Sequence, residues 1–141
     1  MPLSKKIPVF DIMTKNLVVA DLDTRLSRAQ ELFLNFGVEH LPIVHNDTLV
    51  GIVSEFDIMK MYATQLDEKE SISKKEIEEQ FRMEDIMTKN PVTITPDTPI
   101  GKAAQLLVDN KFEALPVVEE GALIGLVTAK DMVDYLAQLY A

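Results

Sequence analysis

Gly51-Ile52-Val53-Ser54-Glu55-Phe56-Asp57 returns as Gly125-Leu126-Val127-Thr128-Ala129-Lys130-Asp131. Each copy carries an apolar strand through a hydroxyl residue into a helix, with an aspartate three positions after the hydroxyl. Asp11 aligns with Asp85, an offset of 74 residues that holds without a gap as far as Tyr62 against Leu136. In that register Asp-Ile-Met-Thr-Lys-Asn is identical at 11–16 and 85–90. So are Asp23-Thr24 with Asp97-Thr98, and Leu41-Pro42 with Leu115-Pro116. A repeat at fixed spacing constrains the fold before any local propensity does.

Outward from the first copy, Leu17 to Ala20 reads as a strand, and Thr24 is placed to cap a helix. Leu26, Ala29, Leu32, Phe33 and Phe36 follow at helical spacing, and Gly37 supplies the stop. His40 to Val44 and Leu49 to Val53 form a hairpin through Asn46-Asp47. Ser54 then opens a helix to about Tyr62. The second copy repeats this, with Pro91 to Thr95 as strand and Thr98 as cap, Pro99 being the first helical residue. Ile100, Ala103, Ala104, Leu106 and Leu107 make its buried stripe. Ala114 to Val118 and Leu123 to Val127 flank Glu119-Glu120-Gly121. Thr128 opens the last helix, striped by Val133, Leu136, Leu139 and Tyr140.

The reading is an α/β (α+β) chain: a first strand-helix-strand-strand-helix repeat at 1–68, a charged helical connector at 69–83 and a second repeat at 84–141. In the connector, Ser73-x-x-Glu76 is a capping box for a helix from Lys74 to Phe81, with Ile77 and Phe81 as its contact line and Glu78–Arg82 as a supporting pair. A half of roughly 60–70 residues is marginal alone, so the repeats are expected to pack together.

A net charge of −9 argues against non-specific nucleic-acid binding and against anionic membrane surfaces. With no cysteine there is neither a disulfide framework nor a thiolate metal site. No stretch approaches the ~18–20 apolar residues that span a bilayer, and Met1 to Phe10 does not read as a signal peptide. A cytoplasmic location is the default expectation.

The residues with chemical potential are Ser54-x-x-Asp57 and Thr128-x-x-Asp131. For a lone copy, helix capping is the simpler reading, with the aspartate favoured by the helix dipole. The functional reading is a nucleotide seat: helix-start amides and the hydroxyl donate to phosphate, and the carboxylate accepts both hydroxyls of a ribose diol. Catalysis finds no support. No cysteine nucleophile exists, His40 and His45 lack a serine partner, and no phosphate loop or paired-carboxylate site is evident. Two histidines five apart across a strand end could bind a metal, which is the minor reading, and no cofactor is required.

Asp-Ile-Met-Thr, then Leu-Pro-(Ile/Val)-Val, then the Gly-to-Asp stretch, in order and twice, resemble a tandem cystathionine-β-synthase (CBS) motif, the Bateman module, over about residues 7–139. The resemblance implies two βαββα units joined through their sheets about a pseudo-two-fold axis. It also implies clefts between the repeats for AMP, ADP, ATP or S-adenosylmethionine. Carried onto this sequence, cleft A uses Asp131 for ribose and Thr128 with Lys130 for phosphate. Thr14, Val18, Val38, Ala114 and Leu126 surround its adenine. Cleft B uses Asp57 for ribose and Ser54 for phosphate, with His40 nearby and Thr88, Val92, Phe112 and Ile52 lining the base pocket. Lys130, where cleft B has Phe56, favours cleft A as the tighter site. Glu39 and Glu113 stand where relatives often carry basic residues, which disfavours ATP.

The expected function is a stand-alone, non-catalytic sensor that signals to an unidentified protein partner. A homodimer is expected through the second-helix faces around Met59, Tyr62, Met132 and Leu136. The alternative is a structural or interaction protein whose clefts stay empty. A weaker third reading is an enzyme subunit.

Overall fold

The computed structural model describes residues 6–68 and 73–141. Residues 1–5 of the leader and 69–72 of the connector lie outside the described residues. Two compact units emerge, one formed by Val18–Pro91 and the other by Val92–Ala141 with the described part of Met1–Leu17.

In the 18–91 unit the sheet runs β1 (Ala20–Asp21), β2 (His40–His45), β3 (Thr48–Ser54), β4 (Thr88–Lys89), in that spatial order. β1 lies parallel to β2, and the other two pairings are antiparallel. The hairpin turns through Asn46 (φ 50°) and Asp47 (φ 62°), a pair of left-handed residues that matches the twist of the flanking strands. Helices α1 (Leu26–Phe36) and α2 (Glu55–Glu68) pack on the strands, and α3 (Lys74–Gln80) and α4 (Met83–Ile86) complete the unit. Leu26, Leu41, Ile43, Val53, Ile58, Ile77 and Met83 are fully buried in one cluster. Each such side chain contributes about 1.5–3 kcal/mol of burial free energy.

The other unit has the same plan with less regular edges. β5 (Ala114–Glu119) and β6 (Ala122–Thr128) form the hairpin, turned through Glu120 and Gly121, both at positive φ. Ile94 bridges Val117 in parallel, and Thr14 bridges Leu126 antiparallel. Helices α5 (Ile100–Asn110) and α6 (Ala129–Leu139) pack here, over a cluster of Val9, Ala103, Leu115, Val117 and Val127.

The two Asp-Ile-Met-Thr segments are therefore exchanged. The copy at 11–14 joins the strands of the second repeat, and the copy at 85–88 joins those of the first. Glycine makes the exchange possible. A Cβ on Gly125 would meet the Met13 sulfur at 2.5 Å, and one on Gly51 would collide with the Met87 sulfur. The methionine is thus a knob set into the bare backbone of the facing strand.

Several local expectations shift. α1 and α5 begin two residues after Thr24 and Thr98, with Arg25 and Pro99 at the caps. The threonine hydroxyls instead accept the amides of Asp21 and Thr95, closing a turn before each helix. Of Leu17 to Ala20 only Ala20 enters a strand, the two-residue β1, and of Pro91 to Thr95 only Ile94 makes a bridge. Gly37 ends α1 in the left-handed region as expected, while Lys111 does the same for α5 at φ 56°. Phe36 is 61% exposed rather than buried. Tyr62 is only 5% exposed, inside the 18–91 cluster, so it does not contribute to a free helix face. Ser73 caps α3 as expected, but Glu78 reaches α1, accepting from Ser27 Oγ at 2.8 Å and lying 3.7 Å from Arg25.

Candidate functional site

Each helix mouth is built by register. His40 stands opposite Ser54, and Ile52 opposite Thr88. In the other unit Ala114 stands opposite Thr128, and Leu126 opposite Thr14. A strand delivers its last residue to the cap of the helix that follows, so hydroxyl and carboxylate meet at one point in both units.

The capping boxes are complete. The Ser54 amide donates to Asp57 Oδ2 at 2.9 Å, and the Asp57 amide to Ser54 Oγ at 3.0 Å. The Thr128 amide donates to Asp131 Oδ2 at 2.9 Å, and the Asp131 amide to Thr128 Oγ1 at 3.1 Å. The first helical amides are taken by backbone, Glu55 N–H donating to the Glu39 carbonyl and Ala129 N–H to that of Glu113, each at 3.0 Å. Capping and ligand binding are compatible here. The hydroxyl serves the cap as acceptor and keeps its O–H to donate, and an ionised carboxylate has about four lone-pair sites.

The surroundings of the two mouths differ. Lys130 Nζ donates to Asp134 Oδ2 at 3.0 Å, one turn along α6. Both side chains are more than half exposed, and such a pair is worth ~0–1 kcal/mol, so an arriving phosphate can compete for the ammonium. The Thr14 hydroxyl lies 3.4 Å from Asp131 Oδ1 and 3.5 Å from Oδ2. Sequence reasoning placed Thr14 beside adenine and gave no sign of this contact.

Thr14, Ala114, Leu126, Thr128, Lys130 and Asp131 all belong to the 92–141 unit, as do Val92 and Phe112. His40, Ile52, Ser54, Asp57 and Thr88 belong to the 18–91 unit, as do Val18 and Val38. Val18 and Val38 pack against the buried cluster of their unit, and Phe112 against that of its own; Val92 is 44% exposed.

His45 turns to Asp21, with Nδ1 3.4 Å from Oδ1. The Asp23 amide, and to a lesser degree His45, hold the Asp21 carboxyl below its ordinary range. Among the described residues no three His, Asp or Glu side chains are grouped to hold a metal ion, and no helix is long and apolar enough to cross a membrane. A hollow of about 360 Å³ opens between the start of α1 and α3, lined by Leu22, Thr24, Arg25, Phe81 and Arg82 among others. It contains none of the expected site residues.

The CBS-domain family model matches twice, over residues 9–64 and 83–138. A homoserine O-acetyltransferase of Methanohalobium evestigatum is 34% identical over 126 residues, covering 88% of this chain. The chain spans 23% of that enzyme. The structure of CBSX2 of Arabidopsis thaliana in complex with AMP superposes with a TM-score of 0.78 at 31% identity, covering 95% of this chain and 98% of that one. The CBS-domain pair of protein MJ0100, in complex with 5′-methylthioadenosine and S-adenosylmethionine, gives a TM-score of 0.80 at 26% identity, with 96% and 99% coverage.

Proposed function

Because the chain belongs to the CBS-domain family, we propose that it is a non-catalytic sensor of adenosine-containing ligands. Asp57 and Asp131 each receive a ribose diol, and Ser54 and Thr128 donate to the ligand's phosphate or equivalent group. The observation that carries this reading is the duplicated capping box, whose carboxylate retains acceptor capacity and whose hydroxyl retains its proton. Support comes from CBSX2, solved with AMP, and MJ0100, solved with 5′-methylthioadenosine and S-adenosylmethionine. The candidate ligands are AMP, ADP, ATP and S-adenosylmethionine.

Signalling follows from differential affinity: a ligand that binds one conformation better shifts the population towards it, and a protein partner reads the shift. A second copy of the chain covers apolar residues left exposed on α2 and α6, Met59, Val133, Leu136 and Leu139 among them. The location is cytoplasmic.

Titration calorimetry with the four ligands tests the reading. Saturable binding to the folded chain, weakened at least about tenfold in Asp131→Ala by loss of charge-assisted hydrogen bonds, is expected. No heat with any ligand, from protein that melts cooperatively, would favour a purely structural role.

A further inference from the structure

Thr14 and Thr88 occupy the same place in the two copies, each paired with the strand that leads into a capping box. Their hydroxyls are not used alike. That of Thr14 is shared between the two oxygens of Asp131, at 3.4 and 3.5 Å. Among the described residues no corresponding bond joins Thr88 to Asp57, which is held at Oδ2 by the Ser54 amide. Asp131 is thus approached from two directions, by the Thr128 amide on Oδ2 at 2.9 Å and, at the longer 3.4–3.5 Å, by the Thr14 hydroxyl across the carboxylate.

We propose that Thr14 is a positioning residue for Asp131, and that the 128–131 site therefore separates ribose from 2′-deoxyribose more sharply than the 54–57 site does. The inference rests on the sensor reading above and moves Thr14 from the adenine to the sugar. A diol needs both carboxylate oxygens at once. A carboxylate held from two sides cannot swing to compensate when one hydroxyl is missing, so the lost hydrogen bond counts in full. A carboxylate held from one side re-aims to the remaining hydroxyl or to water and loses less. Pre-organisation of this kind raises specificity by lowering the ordering cost of the complete ligand.

The test is calorimetry with AMP and 2′-deoxy-AMP on the full chain carrying Asp57→Asn, so that the 128–131 site is read. Thr14→Val should shrink the AMP/2′-deoxy-AMP affinity ratio roughly three- to tenfold, the worth of one ordinary hydrogen bond. Thr14→Ser, which restores the donor, should recover it. Thr88→Val in an Asp131→Asn chain should leave its ratio unchanged. Melting curves confirm that each variant is folded. AMP binding with an unaltered ratio in Thr14→Val overturns the assignment. Absence of AMP binding to the unsubstituted chain overturns this inference, and absence of binding by all four ligands overturns the sensor reading as well.

Discussion

Asp57 and Asp131 close the same capping box at the same place in two copies of one unit, yet their neighbours differ. Asp57 follows Phe56, an exposed ring, and accepts from the Ser54 amide, with no threonine contact like that of Thr14 among the described residues. Asp131 follows Lys130 and is held by both Thr128 and Thr14. Both copies keep what each helix needs in order to start, while the residues around the carboxylate differ. The cap explains the shared part of the motif, and on the proposed function the asymmetry is where the two sites are expected to differ in ligand preference.

The two mouths should differ most at the glycines beneath them. A Cβ at Gly51 would meet the Met87 sulfur and also the Thr88 carbonyl at 3.0 Å, which is backbone and cannot step aside. At Gly125 the nearest atoms all belong to the flexible Met13 side chain. Gly51→Ala should therefore cost about 2–3 kcal/mol, and Gly125→Ala about 1 kcal/mol, in urea unfolding. Equal losses would mean that the methionine knobs, rather than the backbone, set the limit.

Removing the carboxylates is the next largest change. Asp57→Ala and Asp131→Ala should each destabilise by about 1 kcal/mol through loss of the cap, with Asp131→Ala worse by up to roughly 0.5 kcal/mol for the Thr14 bond. The same denaturation series reads both.

The helix ends offer a gentler contrast. α1 ends at Gly37 and α5 at Lys111, both left-handed. Lys111→Gly should stabilise by about 0.5–1 kcal/mol, the left-handed cost of roughly 1–2 kcal/mol less the backbone entropy that glycine brings. Gly37→Ala should move the midpoint the other way.

The smallest expected effect is a pH slope confined to the 18–91 unit. Burial, and then the negative charge of Glu78, push the Tyr62 phenol above its usual 10.0. The folded chain then keeps this proton to higher pH than the unfolded chain. Its contribution is whole below pH 10.0 and is lost as pH rises through the folded-state value. Alkaline unfolding followed by phenolate absorbance should show that slope in the unsubstituted chain and its absence in Tyr62→Phe.

Much of this was legible in the sequence because it depends on local chemistry. The hairpin turns at Asn46-Asp47 and Glu120-Gly121, the stop at Gly37 and the caps at Ser54, Ser73 and Thr128 are each specified by residues within a few positions of one another. What the sequence did not reveal is non-local. Asp-Ile-Met-Thr is identical in both copies, so nothing within it tells Met13 to seat on Gly125 rather than Gly51. Thr24 and Thr98 are good cap residues that fold into a preceding turn, a choice made by the Asp21 and Thr95 amides. Glu78 has an attractive partner four residues on, yet α1 offers Ser27 and Arg25. The contact of Thr14 with Asp131 follows from the exchange and becomes readable only once the exchange is known.

Whether the two carboxylates hold a sugar diol is decided by a crystal structure of the chain grown with AMP. The account predicts the 2′- and 3′-hydroxyls within hydrogen-bond distance of Asp131, with Thr128 Oγ1 turned to the phosphate. Nucleotide density elsewhere, with only solvent against Asp57 and Asp131, would contradict it.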